Sequence, residues 1–284
     1  MKVAITGASG FLGSHVLEQL QTHDIDIVDV RRDGSRKAIE HRRTTRVQMD
    51  LTDAKGAFAA MGKPDLLIHL AWGGLPNYQH SRHLDVELPL QIKFLHSCAD
   101  QGLRRLAVAG TCFEYGLQHG ELVEEATAQP VTQYGLAKAR LHASIATLAD
   151  RGLIELDWAR FFYLYGRGQA AASLYSQLML AIDRGATVFD MSGGEQLRDF
   201  LPAAEAARLF VDVALAPGGA GAVNICSGAP ISVSALVGRW VASRGAVIRL
   251  NKGCFPYSPH EPMAFWGSRT KLDAIINQPT SFLR

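Results

Sequence analysis

The sequence predicts an α/β fold, a doubly wound parallel sheet over residues 1–165 interleaved with a smaller C-terminal region over 166–284. Three observations predict it. Short apolar runs alternate with segments of helical periodicity from the N-terminus to Phe161. A glycine-rich turn joins the first run to the first helix. Beyond Gly166-Arg167-Gly168 the alternation loosens into helices broken by prolines, which reads as a smaller substrate-holding region. A length of 284 residues exceeds the usual single-domain size and is enough to bury a full core.

The elements follow in order. Val3–Thr6 reads as a buried strand, and residues 11–21 as an amphipathic helix with Phe11, Leu12, Val16, Leu17 and Leu20 largely on one face. Strands at Ile25–Val30 and Arg46–Met49 precede a helix at 53–61. Leu66–Leu70 precedes a helix at 82–101, and Arg105–Ala109 precedes one at 133–150. Pro130 suits entry into that helix, and Thr132 or Gln133 can cap it. Glu155–Phe161 closes the strand series. Helices near 171–184, 203–214 and 232–244 follow, interrupted by Pro202, the Pro217–Gly221 loop and Pro230, while Phe255 to Pro262 reads as a loop over a cleft.

Composition narrows the class. A formal charge of +2 gives no general reason to expect nucleic acid or a membrane as partner. Cys98, Cys112, Cys226 and Cys254 lack C-x-x-C or Cys/His ligand spacing, so they read as reduced thiols of a cytoplasmic protein, and no metal is expected. The N-terminus enters a strand at once without a charged leader, and no apolar run reaches the roughly 18 residues of a membrane span.

The run Thr6-Gly7-Ala8-Ser9-Gly10-Phe11-Leu12-Gly13 sits at a strand-to-helix turn. Gly7, Gly10 and Gly13 let backbone approach a pyrophosphate, and the first N–H groups of the helix, at Phe11 and Leu12, face its oxygens with the positive dipole end. Further on, Tyr134 and Lys138 lie four residues apart, hence on one helix face. An ammonium beside a phenol favours the phenolate, so the spacing predicts a tyrosine of lowered pKa that exchanges protons near neutrality. Alone the pair signifies little; downstream of a nucleotide turn it defines a candidate site.

With these residues in place the chain resembles the extended short-chain dehydrogenase/reductases, the superfamily of nucleotide-sugar epimerases, dehydratases and ketoreductases, with a Rossmann sheet. The resemblance covers nearly the whole length. It is carried also by Asp50-Leu51-Thr52-Asp53, His69-Leu70-Ala71, Gly110-Thr111-Cys112-Phe113-Glu114-Tyr115-Gly116, Arg160-Phe161-Phe162, Tyr165-Gly166 and Arg198-Asp199-Phe200-Leu201. It implies that Thr111 hydrogen-bonds the reacting sugar oxygen, that Tyr134 exchanges a proton with it, and that Lys138 holds the nicotinamide ribose. Asp50 and Leu51 would flank the adenine, Leu70 and Ala71 would line the cofactor path, and Cys112 and Arg198 would meet the substrate, Arg198 at its diphosphate. The bland alternative for Arg198 is a pair with Asp199. A homodimer through the helices at 82–101 and 133–150 is likewise what the resemblance implies.

Cofactor choice turns on the end of the second strand, where an acid accepts from the adenosine 2′-hydroxyl and an arginine meets a 2′-phosphate. The family's acidic position falls on Arg31, with Asp29 two residues earlier. The reading therefore favours NADP(H) over NAD(H), with Arg31 and Arg32 as phosphate contacts; Arg36, Lys37, Arg42, Arg43 and Arg46 read as a solvated basic loop.

The chain also departs from the family pattern. Tyr163 and Glu87 stand where the family has asparagine. Trp72-Gly73-Gly74-Leu75-Pro76-Asn77-Tyr78 replaces a small-residue loop, as a selectivity element or as simple packing, and His80 and His83 read as solvated. Dehydratases of the superfamily carry Thr-Asp-Glu at the threonine; here Thr111-Cys112-Phe113 lacks the carboxylates, and Glu114 should face elsewhere. The remaining chemistry is hydride transfer at a sugar carbon. The segment is most similar to nucleotide-linked 4-keto-6-deoxyhexose reductases of the dTDP-6-deoxytalose and dTDP-fucose type. A nucleotide-sugar 4-epimerase and a non-catalytic dinucleotide-binding regulator are the alternatives.

Overall fold

The computed structural model describes residues 1–32 and 42–277. Its centre is a seven-stranded, all-parallel sheet in the order Gly221–Ile225, Glu155–Phe161, Arg105–Thr111, Leu66–His69, Lys2–Thr6, Asp26–Arg31, Thr44–Gln48. Winding reverses between Lys2–Thr6 and Leu66–His69, whose carboxyl ends Thr6 and His69 are register partners. Ligands of such sheets bind outside the carboxyl ends of the strands at a switch point of this kind.

Strand alternation sends side chains into two layers. Val3, Ile5, Ile27 and Phe161 face a core closed by the helices Phe11–Leu20, Ala203–Leu215 and Thr270–Ile276. Ala4, Val28, Leu67, Val108 and Trp158 face the opposite core, under Leu88–Asp100 and Gln133–Asp150. Burial on both faces explains why these strands read as continuous apolar runs.

The second region has its own small core of Leu178, Phe189, Met191, Leu236, Val237 and Trp240, between the helices Leu174–Asp183 and Val233–Ser243. It is tied down by two-stranded pairs, Val188–Asp190 with Arg249–Asn251, Leu197–Arg198 with Ile231–Ser232, and Phe200–Pro202 with Tyr163–Tyr165. Because Gly221–Ile225 returns to the main sheet beside Asp157–Phe161, the chain crosses between the two regions more than once.

Three elements differ from the sequence expectation. Gly221–Ile225, of which only Gly221 falls in the expected Pro217–Gly221 loop and the rest has no assignment, is an edge strand of the main sheet. The helix expected at 53–61 shortens to Ala57–Ala60. The helix expected at 82–101 opens with a π turn at His83–Glu87 and becomes α only at Leu88. Pro89 lacks the N–H that a regular ladder would use there. Among the described residues, no helix is long and apolar enough to cross a membrane.

Phe210 is fully buried, its ring edge-on to Phe161 with centroids 5.3 Å apart. Phe210→Ala should therefore destabilise the fold by about 3–5 kcal/mol in denaturant unfolding.

Candidate active site

Gly7 adopts φ +77°, and a Cβ there would lie 2.6 Å from the Ala71 amide nitrogen; at Gly13 it would lie 2.0 Å from the Gly7 carbonyl oxygen. Glycine at these positions lets the turn close onto itself and onto the Leu70–Ala71 end of the neighbouring strand. The helix that follows starts at Gly10 with no side-chain cap and no acidic residue in its first turn. The N–H groups of Phe11 and Leu12 thus open the helix without a side-chain acceptor, a donor set that fits a dinucleotide's pyrophosphate. Beneath them His69 is held by Thr6 at 2.9 Å and Gln91 at 2.6 Å, and burial pushes its pKa down to about 3, keeping the floor neutral.

The end of the second strand corrects one expectation. Asp29 and Arg31 are two residues apart on a strand and share a face, so the buried Arg31 donates its Nε to Asp29 Oδ2 at 2.6 Å instead of being presented to solvent. The preference for NADP(H) built on Arg31 is not supported; Arg32, the other expected contact, is exposed. Among the described residues, the buried Asp29 Oδ1 has no hydrogen-bond partner. Arg36 and Lys37 lie outside the described residues. Asp50 accepts from the Thr52 amide at 2.9 Å and its hydroxyl at 2.8 Å, which holds its carboxyl below the usual range, with Leu51 half-buried beside it.

The structure brings Thr111, Tyr134 and Lys138 together. Thr111 ends its strand and caps the single 3₁₀ turn Cys112–Glu114, accepting from the Phe113 amide at 3.3 Å while its own amide donates to Glu114 at 2.9 Å. Thr132 caps the helix Gln133–Asp150 by accepting from Gly135 at 3.0 Å, which sets Tyr134 in the first turn and Lys138 one turn on. Lys138 Nζ donates to the Ala109 carbonyl at 2.8 Å, and the Thr111 side chain acts on Tyr134 in the direction that favours its phenolate.

Electrostatics here run against the expectation of a lowered tyrosine pKa. Burial raises Tyr134 well above the ordinary tyrosine value, with Tyr78, Glu114 and Cys112 adding to it and only the Thr111 hydrogen bond opposing. Burial also lowers Lys138 to about 7, against the attraction of Glu114 and Glu87. In a site this dry charge is costly, so the phenol stays protonated and the lysine is poised to gain or lose its proton near neutrality. Glu114, expected to face elsewhere, is fully buried directly below: it accepts from Arg160 Nε at 2.9 Å and Trp158 Nε1 at 3.0 Å, and burial raises its carboxyl despite Arg160.

On the substrate side Arg198 is buried, but its partner is not Asp199. The Arg198 guanidinium donates to Glu261 at 3.3 and 3.4 Å and stacks over Phe265 at 4.9 Å, whereas Asp199 accepts from the Ser227 and Gly228 amides. Tyr163, in place of the family's asparagine, also donates to Glu261. Arg198, Tyr163, Phe200, Gln196, Tyr165 and Trp240 line a cavity of about 430 Å³. The rings of Phe113 and Tyr78, tilted by 39° with centroids 4.8 Å apart, join this cavity to Tyr134, and Cys112 is a buried thiol raised mainly by burial.

Sequence reading missed a group around Trp72. His83 is fully buried, not solvated: its Nδ1 accepts from Trp72 Nε1 at 3.0 Å and its Nε2 pairs with the Asn77 carbonyl at 2.8 Å. The signal was the glycine pair after Trp72; a Cβ on Gly73 would strike Glu87 at 2.4 Å.

Residues 3–226 match the NAD dependent epimerase/dehydratase family, and the chain belongs to it. A dTDP-6-deoxy-L-talose 4-dehydrogenase (NAD(+)) of Aggregatibacter actinomycetemcomitans is 28% identical over 276 residues, which are 95% of this chain and 100% of that protein. Among solved structures, MoeE5 in complex with UDP-glucuronic acid and NAD shares the fold at a TM-score of 0.81 and 23% identity, covering 97% of this chain and 92% of that one. A UDP-N-acetylglucosamine 4-epimerase from Methanobrevibacter ruminantium M1 does so at 0.84 and 21%, covering 98% and 92%. The protein is thus an enzyme of the NAD-dependent nucleotide-sugar epimerase/dehydrogenase kind.

Lowering of Lys138 to about 7 carries a sign that can be checked. The unfolded chain binds this proton up to the ordinary lysine range while the native protein has lost it, so the penalty is full below pH about 7 and disappears as pH rises towards 10.5. Lys138→Met should melt higher than the unmodified protein at pH 6, with the gap closing across that window; a gap constant with pH would contradict the assignment.

Proposed function

We propose that the protein oxidises and reduces C4 of a nucleotide-linked 6-deoxyhexose, a dTDP-6-deoxytalose type of 4-dehydrogenase acting as a 4-keto sugar reductase in reverse, with NAD(H) as the working cofactor. The observation that carries the reading is the convergence of Thr111, Tyr134 and Lys138 in one buried site beside the glycine turn. The relative's name supports the sugar and the cofactor. Engagement of Arg31 by Asp29 supports NAD(H) over NADP(H).

Each residue has a role its surroundings suit. The donors at Gly7–Gly13 would hold the pyrophosphate, Asp50, Leu51, Leu70 and Ala71 the adenosine and cofactor path, and Lys138 the nicotinamide ribose. The bound nicotinamide supplies or accepts hydride at the sugar carbon. Thr111 donates to the sugar's O4 and fixes it. Tyr134, kept protonated by burial, delivers its proton to O4 in reduction and takes one back in oxidation. Arg198, released from Glu261, would meet the diphosphate with a forked pair of donors. The rings of Phe113 and Tyr78 offer an apolar wall, which suits a methyl at C6 better than a hydroxyl. Cytoplasmic location and a homodimer through the helices at 82–101 and 133–150 complete the reading.

The test is an absorbance assay with dTDP-6-deoxy-L-talose and NAD(+) against NADP(+), with products identified by NMR. NADH should form in step with a 4-keto-6-deoxyhexose, and Tyr134→Phe should lower kcat by roughly 10²–10⁴-fold while cofactor still binds. Inversion at C4 without net NADH would replace this reading with an epimerase, and cofactor binding unaffected by sugar, with no turnover, would leave a regulator.

A further inference from the structure

Lys138 has an unusual neighbour. Its Nζ lies 4.0 Å from the centre of the Trp72 ring, within cation–π range, and the same indole stands edge-on to Tyr134 with centroids 5.9 Å apart. One aromatic side chain therefore borders both members of the Tyr134–Lys138 pair. Trp72 is itself held. An indole N–H can only donate, so His83 Nδ1 accepts, and the neutral imidazole carries its hydrogen on Nε2, where it donates to the Asn77 carbonyl at 2.8 Å. His83 is fully buried, its ring packs on Tyr134 at 5.3 Å, and Gly74 leaves it room, since a Cβ there would come within 3.1 Å of His83 Cε1.

We propose that Trp72, locked by His83, is a positioning residue: its ring face holds the Lys138 side chain and its edge walls Tyr134, so both are aligned before any ligand arrives. The charged and titratable groups around Lys138 are Glu87, Glu114, His69 and Tyr134. None of them reaches Nζ by a hydrogen bond, and the bonded partner is the Ala109 carbonyl. Ring contact is what restrains the rest of the ammonium's freedom. Restraint by Trp72 also gives the Trp72-Gly73-Gly74 loop a purpose: the small residues admit the Glu87 and His83 side chains that back the indole.

The inference rests on the proposed role of Lys138 at the nicotinamide ribose, and its test does not need the sugar. NADH dissociation constants are measured by fluorescence for the full-length protein, Lys138→Met, Trp72→Leu and the double variant, a cycle that isolates the coupling. Lys138→Met should weaken NADH binding roughly tenfold in the Trp72 protein and by less than about twofold in the Trp72→Leu protein. Trp72→Phe, which keeps an aromatic face, should restore most of the coupling, and Trp72→Met, a flexible apolar chain with no ring, should not; these serve where Trp72→Leu fails to fold. With a turned-over sugar, Trp72→Met should lower kcat more than it changes KM. Equal Lys138→Met effects in all backgrounds, or none in the unmodified protein, would overturn the proposal. Absence of sugar turnover with the coupling intact would instead overturn the substrate reading alone.

Discussion

Exclusion of water from the Tyr134–Lys138 pair is the constraint on which the rest of the site depends. Both side chains are nearly inaccessible, and burial is the largest cause of shift for each, raising the phenol and lowering the amine. A protonated phenol and an amine poised near neutrality are what remain when charge is costly. Such a pair needs exact placement, since a protonated phenol acts through a single directed hydrogen bond.

Placement comes from two buried devices on opposite sides. Below, the Glu114 carboxylate joins the Thr111 amide to Trp158 and Arg160, so the catalytic turn is bonded to the adjacent strand. A buried ion pair of this kind adds little net stability, but removing one partner would leave an uncompensated charge, which makes the arrangement hard to loosen. Gly110 permits it, because a Cβ there would lie 2.3 Å from Trp158 Nε1. Beside it, the Trp72–His83 contact borders the pair from the π turn at His83–Glu87. The switch point of the sheet lies at the carboxyl ends of Lys2–Thr6 and Leu66–His69, where the Gly7 turn packs on Leu70 and Ala71, the residues just before Trp72.

What the sequence disclosed follows from which interactions are local. The glycine turn, the six strands up to Phe161 and the Tyr134–Lys138 spacing are periodic or adjacent in the chain, and they were readable. Thr111 became a site residue only through resemblance, since no spacing ties it to Tyr134. Long-range choices were hidden. Arg31 turns inward because Asp29 shares its strand face, an outcome decided by competition between ligand and neighbour rather than by position. Arg198 prefers Glu261, 63 residues away, over the adjacent Asp199, whose carboxylate is taken by backbone amides. His83 looked solvated because nothing in its own segment reveals the indole that arrives from the strand end before it. The edge strand Gly221–Ile225 was lost for a different reason: it is short and follows directly on the glycine-rich segment that read as the Pro217–Gly221 loop.

The most direct test of the account follows the hydride itself. NADH deuterated at nicotinamide C4 is incubated with the 4-keto sugar, and the recovered nucleotide sugar is analysed by mass spectrometry and NMR. The account predicts one deuterium, bound at sugar C4, from one of the two labelled faces of the cofactor. Sugar product without deuterium, or with deuterium at another carbon, would contradict it.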